Sequence, residues 1–190
     1  MSKEALTNRQ QQSDEPPEPR SMGQVIATLS WQLNAERIGP GALAELRRMT
    51  GNDLPPAFWR RYLQDVPVEW REPCGQVDVR VDRAWAGLVR AMVEMAPNPH
   101  LFDRPFGAAL AETDYPEDRF VRLLRADGDD LARELRVAGA WLSRSSVKAD
   151  WERPAHLLLG GLGLNVNPPI ASHRMARDYF RVAAQRSSNQ

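Results

Sequence analysis

The sequence contains a single cysteine, only three histidines and no long run of apolar residues. Cys74 has no second cysteine to pair with, which excludes an internal disulfide and is typical of a reducing compartment. No apolar stretch approaches the roughly 18–20 residues of a membrane-spanning helix, and the N-terminus lacks the apolar run of a secretory signal. We therefore expect a soluble, cytoplasmic protein that does not associate with a membrane.

Patterns that would indicate an enzyme are also scarce. No stretch matches a zinc-binding helix, a nucleophile elbow or a phosphate-binding loop. The glycine-rich segments 39–41 and 160–163 lack the remaining residues of such loops, and we interpret them as helix boundaries. The three histidines are widely separated along the chain, at His100, His156 and His173. The sequence predicts a protein without a catalytic site, a bound metal or a cofactor.

Residues 1–20 differ in composition from the rest of the chain. They are polar, rich in glutamine and proline, and nearly free of large apolar side chains. Such a segment cannot bury enough surface to offset the entropy that it loses on becoming ordered. We expect a disordered N-terminal tail over residues 1–20, followed by a folded region over residues 21–190.

The apolar residues of the folded region recur with a helical period. Met22, Ile26, Leu29 and Leu33 would share one face of a helix, and comparable stripes follow. Proline and glycine clusters separate the stripes, whereas strand-like alternation is missing. We predict an all-α fold, a compact bundle of roughly eight or nine helices, built as one unit or as two helical subdomains. The six tryptophans are expected to anchor the core or an interface.

Charge is balanced over the whole chain but divided unevenly along it. Residues 119–148 carry seven basic residues against four acids, whereas residues 62–118 carry five against eleven. A folded chain with this distribution can have a basic face although its formal net charge is zero. Nearly all basic residues are arginines, which suit forked contacts to phosphate, although a GC-rich genome explains the same bias.

The arginines concentrate on the outer faces of predicted helices. In the segment 119–125 they occupy an arc of roughly 120° opposite the apolar side chains. A solvated face is the ordinary explanation for one such stripe, but stripes on three separate helices favour contact with nucleic-acid backbones, independent of base sequence. The candidate contacts from these stripes are Arg119, Arg122, Arg125, Arg133, Arg136, Arg144, Lys148, Arg174 and Arg177.

Two other interpretations fit the same pattern. Residues 116–126 and 129–146 could form the helix-turn-helix of a DNA-binding regulator. The start of the second helix, Gly128-Asp129-Asp130, is acidic, however, and would repel phosphates. The arginine faces could also be merely solvated, on a protein-only assembly scaffold.

Several short motifs follow one another in a fixed order along the chain. They are 43–48 (LAELRR), 57–62 (AFWRRY), 105–111 (PFGAALA), 117–136 (EDRFVRLLRADGDDLARELR), Asp150-Trp151 and 174–180 (RMARDYF). In this order and spacing they resemble the CasB-type small subunit of Cascade, the type I-E CRISPR surveillance complex. The similarity extends over about residues 22–184, and the segment 160–169 (GGLGLNVNPP) departs from the family pattern.

The resemblance implies an all-helical subunit without an active site, which stabilises the crRNA–target DNA R-loop and the displaced strand. The partners that it implies are the crRNA-binding filament subunit, the large subunit, the crRNA, the target and displaced DNA strands, and a second copy of the chain. It also carries over, as backbone contacts, Arg47, Arg48, Arg119, Arg122 and Arg125. Strand exchange is nearly balanced in free energy, so a few non-specific phosphate contacts suffice to shift it.

Overall fold

The computed structural model describes residues 20–188, and ten α-helices form most of this part of the chain. The all-α prediction is confirmed. The predicted tail, residues 1–20, lies outside the described residues apart from Arg20. None of the described helices combines the length and the apolar character needed to cross a bilayer. The helices are α1 (Met22–Gln32), α2 (Ala35–Ile38), α3 (Pro40–Arg48), α4 (Pro56–Asp65), α5 (Val79–Val93), α6 (Phe106–Glu112), α7 (Glu117–Arg125), α8 (Gly128–Arg144), α9 (Glu152–Leu158) and α10 (Pro168–Ser187).

Caps and prolines set several helix starts. The Gln24 amide N–H donates to Ser21 Oγ (3.3 Å), and the Ser21 N–H donates to Gln24 Oε1 (2.8 Å), which forms a reciprocal capping box before α1. Pro40, Pro56 and Pro168 occupy the first positions of α3, α4 and α10, where a missing amide hydrogen costs no helix bond. These local signals explain why most helix positions could be predicted.

The expectation of no strands is wrong for two short segments. β1 (His100–Pro105) and β2 (Ala149–Asp150) pair in parallel, although the sequence shows no strand-like alternation there. Tertiary hydrogen bonds hold β1 in place: the His100 N–H donates to Ser30 Oγ (2.9 Å), and the Trp151 N–H donates to His100 Nδ1 (3.2 Å). Because these partners are distant in sequence, no local alternation marks the strand.

One hydrophobic core extends from Met22 to Tyr179, and small residues let its helices approach closely. α5 packs along α8, and α6 packs along α10. A Cβ atom on Gly107 of α6 would overlap the backbone carbonyl of Met175 in α10. The largest fully buried side chains include Trp85, Trp151, Tyr115, Phe58, Phe106 and Phe120.

The six tryptophans divide equally among buried, half-buried and exposed positions. In that order they are Trp85 and Trp151, Trp70 and Trp141, and Trp31 and Trp59. The exposed Trp31 carries the guanidinium group of Arg37 over its ring, 3.0 Å from the centroid, in a cation–π contact. The expected role in the core is confirmed for the first pair.

Burial of His100 makes stability depend on pH. Its Nδ1 accepts the Trp151 N–H and lies 3.6 Å from Asp150 Oδ1. Burial lowers the pKa of His100 below its ordinary value, and the Asp150 charge opposes that shift. The unfolded chain therefore binds a proton more readily. We expect this contribution to the free energy of unfolding to be complete above about pH 6.5 and to be lost as the pH falls through the lower folded-state pKa.

Urea unfolding of the wild type and of His100→Asn, from about pH 7.5 to about pH 5, checks this expectation. The variant should be less stable at neutral pH and should lose less stability on acidification. The pKa of His156 is also lowered by burial. Because His156 is present in both proteins, its contribution to the pH dependence of stability cancels in the comparison. Equal losses in the two proteins would contradict the role of His100.

Candidate nucleic-acid interface

All eleven predicted contacts are exposed on the folded chain. Eight of them make no ion pair within residues 20–188, and the exceptions are Arg122, Arg133 and Arg136. They lie in the last turn of α3 (Arg47, Arg48), on α7 (Arg119, Arg122, Arg125), on α8 (Arg133, Arg136, Arg144), before β2 (Lys148) and on α10 (Arg174, Arg177).

Helix α7 is amphipathic, with arginines on its outer face. Phe120 and Leu123 are buried, whereas Arg119, Arg122 and Arg125 are exposed. Glu117 and Asp118 lie in the first turn and two arginines lie in the last, which complements the helix dipole. The predicted stripe is therefore present, on a short helix that both packing and electrostatics stabilise.

One arginine of this stripe is also part of the fold. Arg122 Nε lies 3.0 Å from Oε1 of Glu134 on α8. The Glu134 side chain is only 8% exposed, and its second carboxylate oxygen is buried without a hydrogen-bond partner among the described residues. Arg122 itself is 57% exposed, so it compensates a buried charge while it faces solvent. Arg122 thus links α7 to α8.

Aromatic packing joins α7 to α10, which carries a second row of arginines. The Phe120 ring stacks on Tyr179 with centroids 4.0 Å apart, and the Tyr179 hydroxyl donates to the Tyr115 carbonyl oxygen (2.6 Å). Arg174 and Arg177 lie on the opposite, exposed side of α10. The two arginine-bearing helices are therefore neighbours in the fold.

A cleft of about 310 Å³ lies between α5 and α8 and contains a separate cluster of arginines. Arg83 and Arg90 come from α5, and Arg133 and Arg136 come from α8. The segment 49–52 lines the same cleft. Asp129 is the one acid in the lining. Four guanidinium groups against one carboxylate form an electropositive site that suits an anion.

Sequence reasoning missed Arg83 and Arg90. They lie in the acid-rich segment 62–118, which we did not consider basic. The available signal was their spacing, because residues seven apart share one face of a helix. The fold brings them together with the predicted Arg133 and Arg136. The arginines of α7 and α10 do not line this cleft.

Metal-ligating clusters and paired cysteines are absent from the described part of the chain. Among residues 20–188, no three His, Cys, Asp or Glu side chains are arranged to hold a metal ion. Cys74 is exposed and unpaired in that range.

The fold and these surfaces define the class: a predominantly helical protein whose exposed arginines lie on helix faces and around a cleft. A family model described as CRISPR-associated protein Cse2 matches residues 42–180. The chain belongs to this family, which comprises the CasB-type small subunits of type I-E Cascade, and it acts within that complex. The resemblance stated from short motifs is thereby confirmed. No curated protein and no solved structure gives a match to the chain.

Proposed function

We propose that this small subunit is not a catalyst and binds nucleic-acid backbones without sequence specificity inside the assembled complex. There it stabilises the crRNA–target DNA R-loop and guides the displaced strand. Its partners are the crRNA-binding filament subunit, the large subunit, the crRNA, both DNA strands and a second copy of itself. The exchange of the DNA duplex for the RNA–DNA duplex is nearly balanced in free energy, so a few phosphate contacts are sufficient for this role.

The exposed stripe on α7 carries the proposal. Arg119 and Arg125 point away from the buried Phe120 and Leu123, and neither makes an ion pair within residues 20–188. Unpaired, solvated guanidinium groups are available for phosphate at no cost in broken ion pairs. A neutral net charge agrees with weak binding by the isolated chain, the affinity being supplied by the assembly.

The start of α8 argues against a helix-turn-helix regulator. Asp129 and Asp130 are exposed in its first turn, where a recognition helix would approach the bases. A protein-only scaffold is the second candidate, because Arg122, Arg133 and Arg136 are each engaged by a carboxylate. An experiment on the remaining arginines separates the scaffold from the nucleic-acid role.

Charge reversal at Arg119 and Arg125 tests the proposal in the reconstituted complex with its crRNA. Arg122 is left intact because of its bond to Glu134. We expect target DNA retention to fall about tenfold at physiological salt, with the salt dependence weakened by about two phosphate contacts. Gel-filtration and filter-binding measurements over a salt series provide the readout.

Arg37→Glu with Arg60→Glu is the matched control, because both side chains are exposed and carry the same charge. The control should assemble and retain DNA like the wild type. If the Arg119→Glu/Arg125→Glu complex assembles fully and retains DNA equally well, the scaffold interpretation is correct and the nucleic-acid role of α7 is wrong.

A further inference from the structure

The cleft between α5 and α8 exists because small residues meet at its floor. A Cβ atom on Gly87 would lie 2.7 Å from the Cβ of Ala132, so the two helices approach closely at this point. Ala86, Gly87 and Ala132 give the cleft an apolar floor, and arginines of both helices line it as well. Thr50, Asn52 and the acid Asp129 add polar groups to the lining. The result is a small concave site with basic walls.

The two arginines of α5 are free donors in this site. Within residues 20–188, Arg83 and Arg90 make no ion pair, whereas Arg133 is held by Asp130 (2.8 Å) and Arg136 by Glu94 (2.8 Å). Arg90 Nε is buried and has no hydrogen-bond acceptor in the described region. A buried donor without a partner is costly, and an anion that reached Arg90 Nε from the cleft would remove that cost.

Burial, together with the neighbouring charge of Arg136, lowers the pKa of Arg90, although Glu94 opposes the effect. An arginine nevertheless stays charged at neutral pH. Its positive charge is therefore partly desolvated and held close to another guanidinium group. An oxyanion placed between them would relieve both the repulsion and the desolvation.

A second cleft, of about 480 Å³, borders the first but has a different charge balance. Arg80 and Arg83 line it together with Asp127 and Asp129, and Arg80 is already bound to Asp78 (2.7 Å). Arg83 and Asp129 line both clefts. Outside ion pairs within residues 20–188, the second cleft has two acids against one arginine, whereas the first has one acid against two arginines. Of these two clefts, the one that contains Arg90 has the positive balance that suits an anion.

We propose that the α5/α8 cleft binds one phosphodiester group of a single-stranded polynucleotide, in addition to the convex arginine stripe of α7. This inference rests on the proposed nucleic-acid role and names the strand type that the second site takes. Guanidinium groups bind phosphate in a forked geometry, and the apolar floor suits a sugar.

A small concave cleft suits a flexible single strand better than a duplex. Its volume of about 310 Å³ is at the lower end of small-molecule sites. A duplex is stiff and presents its phosphates on a convex surface, whereas a flexible single strand can bend one linkage into a basic groove. The crRNA before pairing and the displaced DNA strand share this chemistry.

The variant Arg83→Gln/Arg90→Gln tests the proposal with the whole chain. Fluorescence anisotropy measures its affinity for a labelled oligothymidine and for a duplex of equal length. We expect at least about a tenfold loss for the single strand and about a twofold loss or less for the duplex. The salt slope for the single strand should decrease by about 0.7 for each phosphate that the variant no longer binds. Arg37→Gln/Arg60→Gln, which removes the same charge outside the cleft, should bind single strand within about twofold of the wild type.

A second pair of substitutions and a second probe keep the test decisive. Arg83→Lys/Arg90→Lys retains the charge, so its salt slope for single-strand binding should be close to that of the wild type. If its salt slope is as low as that of Arg83→Gln/Arg90→Gln, a phosphate contact is contradicted. Inorganic phosphate should raise the Tm of the wild type more than that of Arg83→Gln/Arg90→Gln, and equal shifts overturn the site. Equal losses for single strand and duplex overturn the strand preference.

These readouts are independent of the α7 stripe. If charge reversal at Arg119 and Arg125 leaves DNA retention unchanged, the proposed function of α7 is rejected. If phosphate still raises the Tm of the wild type but not that of Arg83→Gln/Arg90→Gln, the cleft remains a binding site. Loss of the phosphate effect, with the α7 result intact, would reject only the cleft.

Discussion

Gly107→Ala is expected to destabilise the chain by about 3 kcal/mol and to lower its Tm by roughly 10 °C. The added Cβ would overlap the Met175 carbonyl oxygen and lie 3.2 Å from the Tyr179 backbone nitrogen. Both atoms belong to the backbone of α10, so no side-chain rotation can relieve the clash. α10 would have to move away from α6, which would loosen the buried Met175 and Tyr179.

Gly41→Ala is the control for this substitution. Gly41 is in α3, and a Cβ atom there meets nothing within 4 Å. Alanine favours a helix over glycine, so this variant should be as stable as the wild type or up to about 1 kcal/mol more stable. Thermal unfolding followed by circular dichroism measures both. If the Tm of Gly107→Ala lies within about 2 °C of the wild type, the close contact between α6 and α10 is incorrect.

Arg122→Met should cost about 2 kcal/mol, far more than the same change at Arg119. Removal of one partner from a buried ion pair typically costs about 3–5 kcal/mol, because the other charge stays buried. Glu134 is that buried charge here, and the 57% exposure of Arg122 admits water and moderates the loss. Arg119 makes no ion pair within residues 20–188, so Arg119→Met should change stability by less than about 0.5 kcal/mol.

A double variant identifies the cause. Glu134→Gln, combined with Arg122→Met, removes the unpaired carboxylate and should restore about half of the lost stability in urea unfolding. If Arg122→Met is no less stable than Arg119→Met, the Arg122–Glu134 pair does not contribute to the fold. In that case Arg122 belongs with Arg119 and Arg125 as a free surface group, and all three can be reversed together in the complex.

The helices and arginine stripes could be predicted because their signals are local. Pro40, Pro56 and Pro168 mark helix starts directly, and the exposed face of α7 follows from residue spacing alone. Each signal involves residues within a few turns of one another. The exposure of the ten predicted arginines follows from the same periodicity, whereas Lys148 lies outside the helices.

The cleft and the small sheet depend on partners that are distant in sequence. Arg90 meets Arg136 only because Gly87 and Ala132 let α5 and α8 approach, and the acid-rich composition around Arg90 pointed away from a basic site. Similarly, His100 is held by Ser30 and Trp151. Burial of Glu134 under Arg122 is a third such case, since the sequence marks Glu134 only as one of the four acids of the segment 119–148.

The exposed indoles of Trp31 and Trp59 give this chain an intrinsic optical signal for assembly. An indole in water emits fluorescence at longer wavelength than one in an apolar core. The spectrum of this chain therefore combines the emission of exposed and of buried indoles. A partner that covers either exposed ring would shift emission to the blue, while Trp85 and Trp151 would stay unchanged. Docking of the subunit can therefore be followed in real time without a dye.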